Sequence, residues 1–150
     1  MTIQKRILLE KTFERLNQRW NLQREDIEDY LDDEVLIPVT IFSKDLSPLE
    51  TVVKYLRENK RKPLSKIAKL LKRASSNIYN AYRKSQSKHP SALAMGPTDY
   101  YIPLSKLRRK GTVLENVVFY LKQDLNFRQI GKLLQRNERT IWTVYNRKKN

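Results

Sequence analysis

Cysteine is absent from this chain and histidine occurs once, at His89, which excludes disulfides, thiolate metal sites and a histidine cluster. His89 sits between Lys88 and Pro90 in a segment with little periodicity, so it reads as a bystander. Only three glycines are present, and no glycine-rich phosphate loop is among them. No apolar run approaches the ~18 residues that a membrane helix needs, and no charged-then-apolar leader precedes a small-residue cleavage site. The expectation from these absences is a cytoplasmic protein that is not an enzyme, with no cofactor, no metal and no membrane association. Nucleophile-and-base pairs are missing as well.

What is plentiful is positive charge. The chain holds 31 Lys and Arg against 16 Asp and Glu in 150 residues, a net of +15. Residues 1–34 carry 6 basic and 9 acidic side chains, which leaves 25 basic and 7 acidic in residues 35–150, a net of +18 there. A field of that sign draws polyanions without saying which one.

The basic part is a duplication. Residues 37–59 match 102–124 at an offset of 65, with Ile37/Ile102, Pro38/Pro103, Leu49/Leu114, Glu50/Glu115, Val52/Val117, Tyr55/Tyr120 and Leu56/Leu121 identical. After Lys60-Arg61-Lys62 in one copy and Leu125 in the other, the offset becomes 63. Ile67/Ile130, Lys69/Lys132, Leu70/Leu133, Leu71/Leu134, Arg73/Arg136, Ile78/Ile141 and Tyr82/Tyr145 are then identical. A unit present only twice does not suit a solenoid, which needs at least ~3 repeats to bury a continuous core. Two small domains joined as beads on a string are expected: an acidic helical segment 1–34, a first repeat 35–84, a linker 85–98 and a second repeat 99–150.

Each repeat reads as three helices. Ser47-Pro48-Leu49-Glu50 is a capping box with proline at the first helical position, and Thr112-Val113-Leu114-Glu115 repeats it. Leu49, Val52, Val53 and Leu56, like Leu114, Val117, Val118 and Leu121, then follow at helical spacing, giving helices over 48–59 and 113–123. Capping explains the matched glutamates without catalysis. A short helix follows from Leu64 or Phe127 to Arg73 or Arg136. After a polar turn, a third helix directs Ile78 and Tyr82, or Ile141 and Tyr145, to the core. A short helix, a tight turn and a second helix with few buried positions form the DNA-binding helix-turn-helix pattern.

The stretches LSPLETVVKYLRENKRKPLSKIAKLLKRASSNIYNAYRK and GTVLENVVFYLKQDLNFRQIGKLLQRNERTIWTVYNRKK resemble the helix-turn-helix of sigma-factor region 4 and of LuxR-type output domains. They also resemble small tandem helix-turn-helix proteins of archaea. The frame is an L-[ST]-x-x-E start, an [LF]-[SR]-x-I-[AG]-x-L-L helix, a polar turn and a [TN]-[IV] opening. Gly111 departs from it where leucine is usual, and so do the Ile-Pro leaders. The expected fold is all-α: a helical N-terminal segment followed by two tandem helix-turn-helix domains.

With Ile78 and Tyr82 inward, Asn77, Tyr79, Asn80, Arg83 and Lys84 fall on exposed arcs of the first recognition helix. Arg139, Thr140, Trp142, Thr143, Asn146 and Arg147 do so in the second. Asparagine pairs with adenine and arginine with guanine in a major groove, at roughly 1–3 kcal/mol of discrimination each. The expected base-reading residues are therefore Asn77, Tyr79, Asn80, Arg83, Arg139, Thr140, Trp142, Thr143 and Asn146. Tyr79 and Trp142 share one repeat position, where packing against a neighbouring helix is an equal alternative. Lys66, Lys69, Lys72, Arg73, Lys84, Arg128, Lys132, Arg136, Arg147 and Lys148 are expected on the phosphate backbone.

The partner implied is double-stranded DNA, and the function a nucleoid-associated transcriptional regulator reading two adjacent half-sites. The rival is an architectural protein with little sequence preference. RNA fits less well, because its A-form major groove is too narrow to read. A flexible linker would permit direct or inverted half-sites. In residues 1–34, Leu9, Phe13, Leu16 and Trp20 form an apolar stripe over a helix at 3–19, and a second helix is expected over 22–32. That stripe reads as core over the first repeat, with a homodimer contact or a docking surface for another protein as alternatives.

Overall fold

The computed structural model describes residues 2–20 and 35–150. The expected second N-terminal helix and the acidic residues from Glu25 to Glu34 lie outside the described residues. The chain divides into two compact units, Met1–Val35 and Leu36–Asn150. In the first, α1 spans Ile3–Trp20, with Ile3, Ile7 and Leu8 exposed to solvent.

In the second unit, strand β1 (Leu36–Pro38) leads through a 3-10 turn (Val39–Ile41) to α2 (Pro48–Glu58), α3 (Leu64–Leu71) and α4 (Ser75–Lys88). The second copy runs β2 (Tyr101–Pro103), α5 (Leu104–Leu107), α6 (Val113–Leu121), α7 (Phe127–Leu134) and α8 (Glu138–Lys149). The protein is all-α apart from that short pair of strands. Among the described residues no helix is long and apolar enough to cross a membrane.

Local chemistry accounts for the helix starts. Ser47 accepts from the Glu50 amide, the Glu50 carboxylate accepts from the Ser47 amide, and Pro48 opens the helix, so the expected capping box is complete. In the second copy only half of it forms. Thr112 Oγ1 accepts from the Glu115 amide at 3.1 Å, whereas the Glu115 carboxylate turns to Arg147 at 3.5 Å. A further box, Asn126 with Gln129, starts α7 and stands in the sequence as N-x-x-Q before the apolar run.

The core of each copy is built from the duplicated positions. Val52, Val53, Leu56, Ile67, Leu71 and Ile78 are buried in one, and Val117, Val118, Leu121, Ile130, Leu134 and Ile141 in the other. Tyr82 and Tyr145, expected in the core, are only half-buried. Ala81 and Val144 take the deeper places one residue earlier, as the 3.6-residue period allows after Ile78 and Ile141.

Between α3 and α4, Lys72 adopts the left-handed conformation (φ 51°), as Gln135 does between α7 and α8 (φ 55°). The amides of Arg73 and Arg136 reach back to the carbonyls of Ala68 and Gly131, at 3.0 and 2.8 Å. This six-to-one closure ends a helix sharply and ordinarily employs glycine. The two closures are not equally roomy. A Cβ on Gly131 would lie 2.7 Å from the Arg136 carbonyl oxygen, although the equivalent residue in the first copy is Ala68. Gly131→Ala is therefore expected to destabilise the protein by about 1–2 kcal/mol, strain in the turn outweighing the ~1 kcal/mol that alanine adds to a helix. Urea denaturation measures it, and a gain in stability would show that the turn yields freely.

The two copies are not separate beads. β1 pairs antiparallel with β2 in the register Leu36↔Pro103, Ile37↔Ile102 and Pro38↔Tyr101, and Ile37 and Ile102 are repeat equivalents. Each pair therefore maps onto the sheet itself when the copies are exchanged, which is the signature of a two-fold axis between Ile37 and Ile102. Several further contacts obey the same exchange. Arg73 Nη2 donates to the Gly111 carbonyl (3.0 Å), and its equivalent Arg136 donates to the carbonyl of Leu46 (3.1 Å), the equivalent of Gly111. α3 packs on α5 as α7 packs on the 3-10 turn, and α2 meets α6 across the axis.

The segment expected as a linker over 85–98 is shorter and less free than its composition implied. Ser85–Lys88 continue α4, with Ser85 fully buried, and Thr40 Oγ1 donates to the Gly96 carbonyl at 3.0 Å.

Candidate nucleic-acid interface

The third helix of each copy is held by one apolar edge. Ile78, Ala81 and Ser85 bury one side of α4, and Ile141 and Val144 one side of α8. The remaining arcs face solvent. Asn77, Tyr79, Asn80, Arg83 and Lys84 are exposed and carry no side-chain hydrogen bond or ion pair among the described residues. Tyr79 is 58% exposed and its repeat equivalent Trp142 54%, so both aromatic rings stand out from the surface rather than packing against a neighbouring helix.

The second helix is more tied down. Arg139, Thr140 and Thr143 are exposed and, with Asn137, Val144 and Arg147, line a shallow open depression of about 440 Å³ along α8. Thr143 Oγ1 donates to the Arg139 carbonyl, and Asn146 Nδ2 to the Trp142 carbonyl, at 2.9 Å each. Asn146, expected among the reading residues, is half-buried, and its amide is engaged with its own helix. Asn137 caps α8 by accepting from the Arg139 amide at 2.8 Å.

The residues expected on phosphates divide into two groups. Lys69, Lys72, Arg128 and Lys132 are exposed on or beside α3 and α7, with no side-chain hydrogen bond or ion pair among the described residues. Lys66 is half-buried and has an interaction within the protein. Four others are engaged by the fold itself. Arg73 and Arg136 donate across the seam between the copies. Arg147 pairs with Glu115, and Lys148 Nζ donates to the Lys110 carbonyl at 2.7 Å while lying 5.9 Å from the Phe119 ring centroid. Their charge contributes to the field, but their hydrogen bonds, and the ion pair of Arg147, serve the fold.

Glu50, read as a helix cap, also receives Lys88 Nζ at 2.7 Å and so ties the start of α2 to the end of α4. Burial alone would push the Glu50 carboxyl up. The hydrogen bonds from Lys88 and Ser47, with the Lys88 charge, outweigh it and leave the group below its ordinary value. Burial, and then the neighbouring Tyr101, raise the Tyr55 phenol.

No protein-family model, curated protein or solved structure matches this chain. The geometry therefore carries the functional argument.

Proposed function

We propose that the protein binds double-stranded DNA through α4 and α8 and acts as a transcriptional regulator on the nucleoid. The observation that carries this reading is the pair of equivalent helices, each held by a narrow apolar edge: α4 presents Asn77, Asn80, Arg83 and Tyr79 outward, and α8 presents Arg139, Thr140, Thr143 and Trp142. The helix before each one exposes a matched lysine, Lys69 or Lys132. A recognition helix needs freely presented donors and acceptors for base edges, and the helix crossing ahead of it needs cations for phosphates. The net charge of +18 on residues 35–150 supplies the long-range attraction. The likeness of both copies to sigma-factor region 4 and LuxR-type sequences points the same way.

The test is selection from a random-sequence duplex library, with winners and losers compared at two salt concentrations. Preference of at least ~10³ for a two-part motif is expected of a regulator. Asn80→Ala and Arg139→Ala should each relax preference within one half of that motif, at a cost of roughly 1–3 kcal/mol. Lys69→Ala and Lys132→Ala should weaken all sequences alike and lower the salt slope by about one unit each. Uniform and steeply salt-sensitive binding would replace this reading with that of a DNA-coating protein.

A further inference from the structure

The two-fold relation between the copies bears on the form of the DNA site. The register of β1 on β2 and the exchange of Arg73→Gly111 for Arg136→Leu46 make the second unit a dimer in one chain, with an interface of the self-complementary kind. Two-fold proteins place their recognition helices on half-sites that are themselves related by two-fold rotation, because the axis of the protein and the local dyad of the duplex coincide. A rotation also preserves direction along its axis. Whatever part of the α4 outer face points along the axis is matched by α8 on the same side.

The copies are fused in symmetry but not in sequence. Asn77, Tyr79, Asn80 and Arg83 stand where the second copy has Thr140, Trp142, Thr143 and Asn146. The Ile-Pro strands and arginines of the seam and much of the core are repeated while these outward positions differ, so the frame is close to symmetric and its contents are not.

Resting on the DNA-binding reading above, we propose that one chain recognises two inverted, non-identical half-sites on one duplex, with a spacing fixed by the seam between the copies. The connecting residues 89–100 do not set that distance. The sheet, the arginine bonds, the 2.6 Å bond from Arg108 Nε to the Leu70 carbonyl and the packing of α2 on α6 hold the copies together independently of it. The ligand class is therefore an asymmetric operator in a palindromic frame, bound in one orientation by a monomer.

Three measurements on the full chain with duplex DNA test this. The first is the arrangement of the motif enriched from the random library, expected as inverted halves. The second is spacing. Inserting five base pairs between the halves puts them on opposite faces of the duplex and is expected to cost roughly 10²-fold or more in affinity, as when geometry forbids simultaneous engagement of two linked sites. Inserting five Gly-Ser residues after Ser91 is expected to leave the preferred spacing unchanged. The third is a graft of first-copy residues onto α8: Arg139→Ser, Thr140→Asn, Trp142→Tyr, Thr143→Asn and Asn146→Arg. The selected site is expected to become a true palindrome of the first half-site.

Enrichment of direct repeats would overturn the inference and leave DNA binding standing. A spacing preference that broadens with the Gly-Ser insertion, or halves brought by two separate duplexes bridged by one chain, would do the same. Binding without sequence preference, or none to any duplex, would overturn the DNA-reading proposal itself. If the graft does not fold, the spacing and insertion measurements on the otherwise unaltered chain decide.

Discussion

Glu58→Ala is expected to cost about 3 kcal/mol of stability, a loss characteristic of a buried charge left without its partner. The Lys54 side chain is fully buried, and its ammonium lies 3.0 and 2.8 Å from the two Glu58 oxygens. Glu58 also accepts from Gln86 Nε2 at 2.7 Å, and Gln86 donates to the Tyr82 hydroxyl at 2.7 Å. Two residues of α2 and two of α4 thus form one polar network at the joint that docks α4 on α2. Removing the carboxylate strands a fully buried ammonium. The Glu58 side chain is 24% exposed, so water recovers part of the loss, which places the expectation at the lower end of the range for buried pairs.

The second copy shows how the same joint is made without the Lys–Glu pair. Phe119 occupies the position of Lys54, and Gln123 that of Glu58. Phe119 stacks on Tyr145 with centroids 5.7 Å apart, and Phe127 meets the same ring edge-on at 5.4 Å. Transplanting that solution as Lys54→Phe with Glu58→Gln is accordingly expected to recover most of the stability lost in Glu58→Ala, to within about 1 kcal/mol of the unaltered chain. Equilibrium urea denaturation of the three proteins gives the comparison. A loss below about 1 kcal/mol in Glu58→Ala would mean that the lysine reaches solvent and that the network contributes little.

The helices were legible because their signals are local and were written twice. The apolar spacing of α2 predicts 48–59, and the helix runs Pro48–Glu58, because a capping box and a proline mark its start independently of anything distant. The sheet was not legible in that way. Strands of three residues that end in proline have no alternation to detect, and their stabilisation comes from a partner some 65 residues away. The signal available was the recurrence of Ile-Pro itself, outside any helix and therefore in need of a shared structural reason. The outward arcs of α4 and α8 were predicted from one pair of inward positions in each, and Asn77, Tyr79, Asn80 and Arg83 are exposed as expected. Arg73 and Arg136 differ from the other cations only in where their side chains point. Residue type carries no such information, and identity in both copies does not supply it, since Lys69 and Lys132 are identical too and stay exposed.

Arg73→Met with Arg136→Met is expected to cost about 2–4 kcal/mol, since each arginine places charged donors on main-chain carbonyls of the opposite copy and such bonds contribute ~1.5–3 kcal/mol where they are shielded. The shielding is partial here, because both side chains are only half-buried, and the bond from Arg136 to the Ser43 carbonyl is long at 3.4 Å. Methionine retains the apolar stem, so the change isolates the donors. The carbonyls of Leu46 and Gly111 immediately precede the Ser47 and Thr112 caps, so releasing them loosens the starts of α2 and α6 as well as the seam. Each copy alone has a small core. Weakening their coupling is expected to make unfolding less cooperative, with a lower dependence of stability on urea concentration than in the parent. Had these arginines served phosphates instead, the same variants would leave stability unchanged and lower the salt slope of DNA binding by about one unit each. The seam role predicts the opposite pair of results. Stability falls and, under the DNA-binding proposal, each separate half-site is bound nearly as before while only the penalty for altering the spacing between half-sites shrinks, because the element that holds α4 and α8 at one distance has been cut.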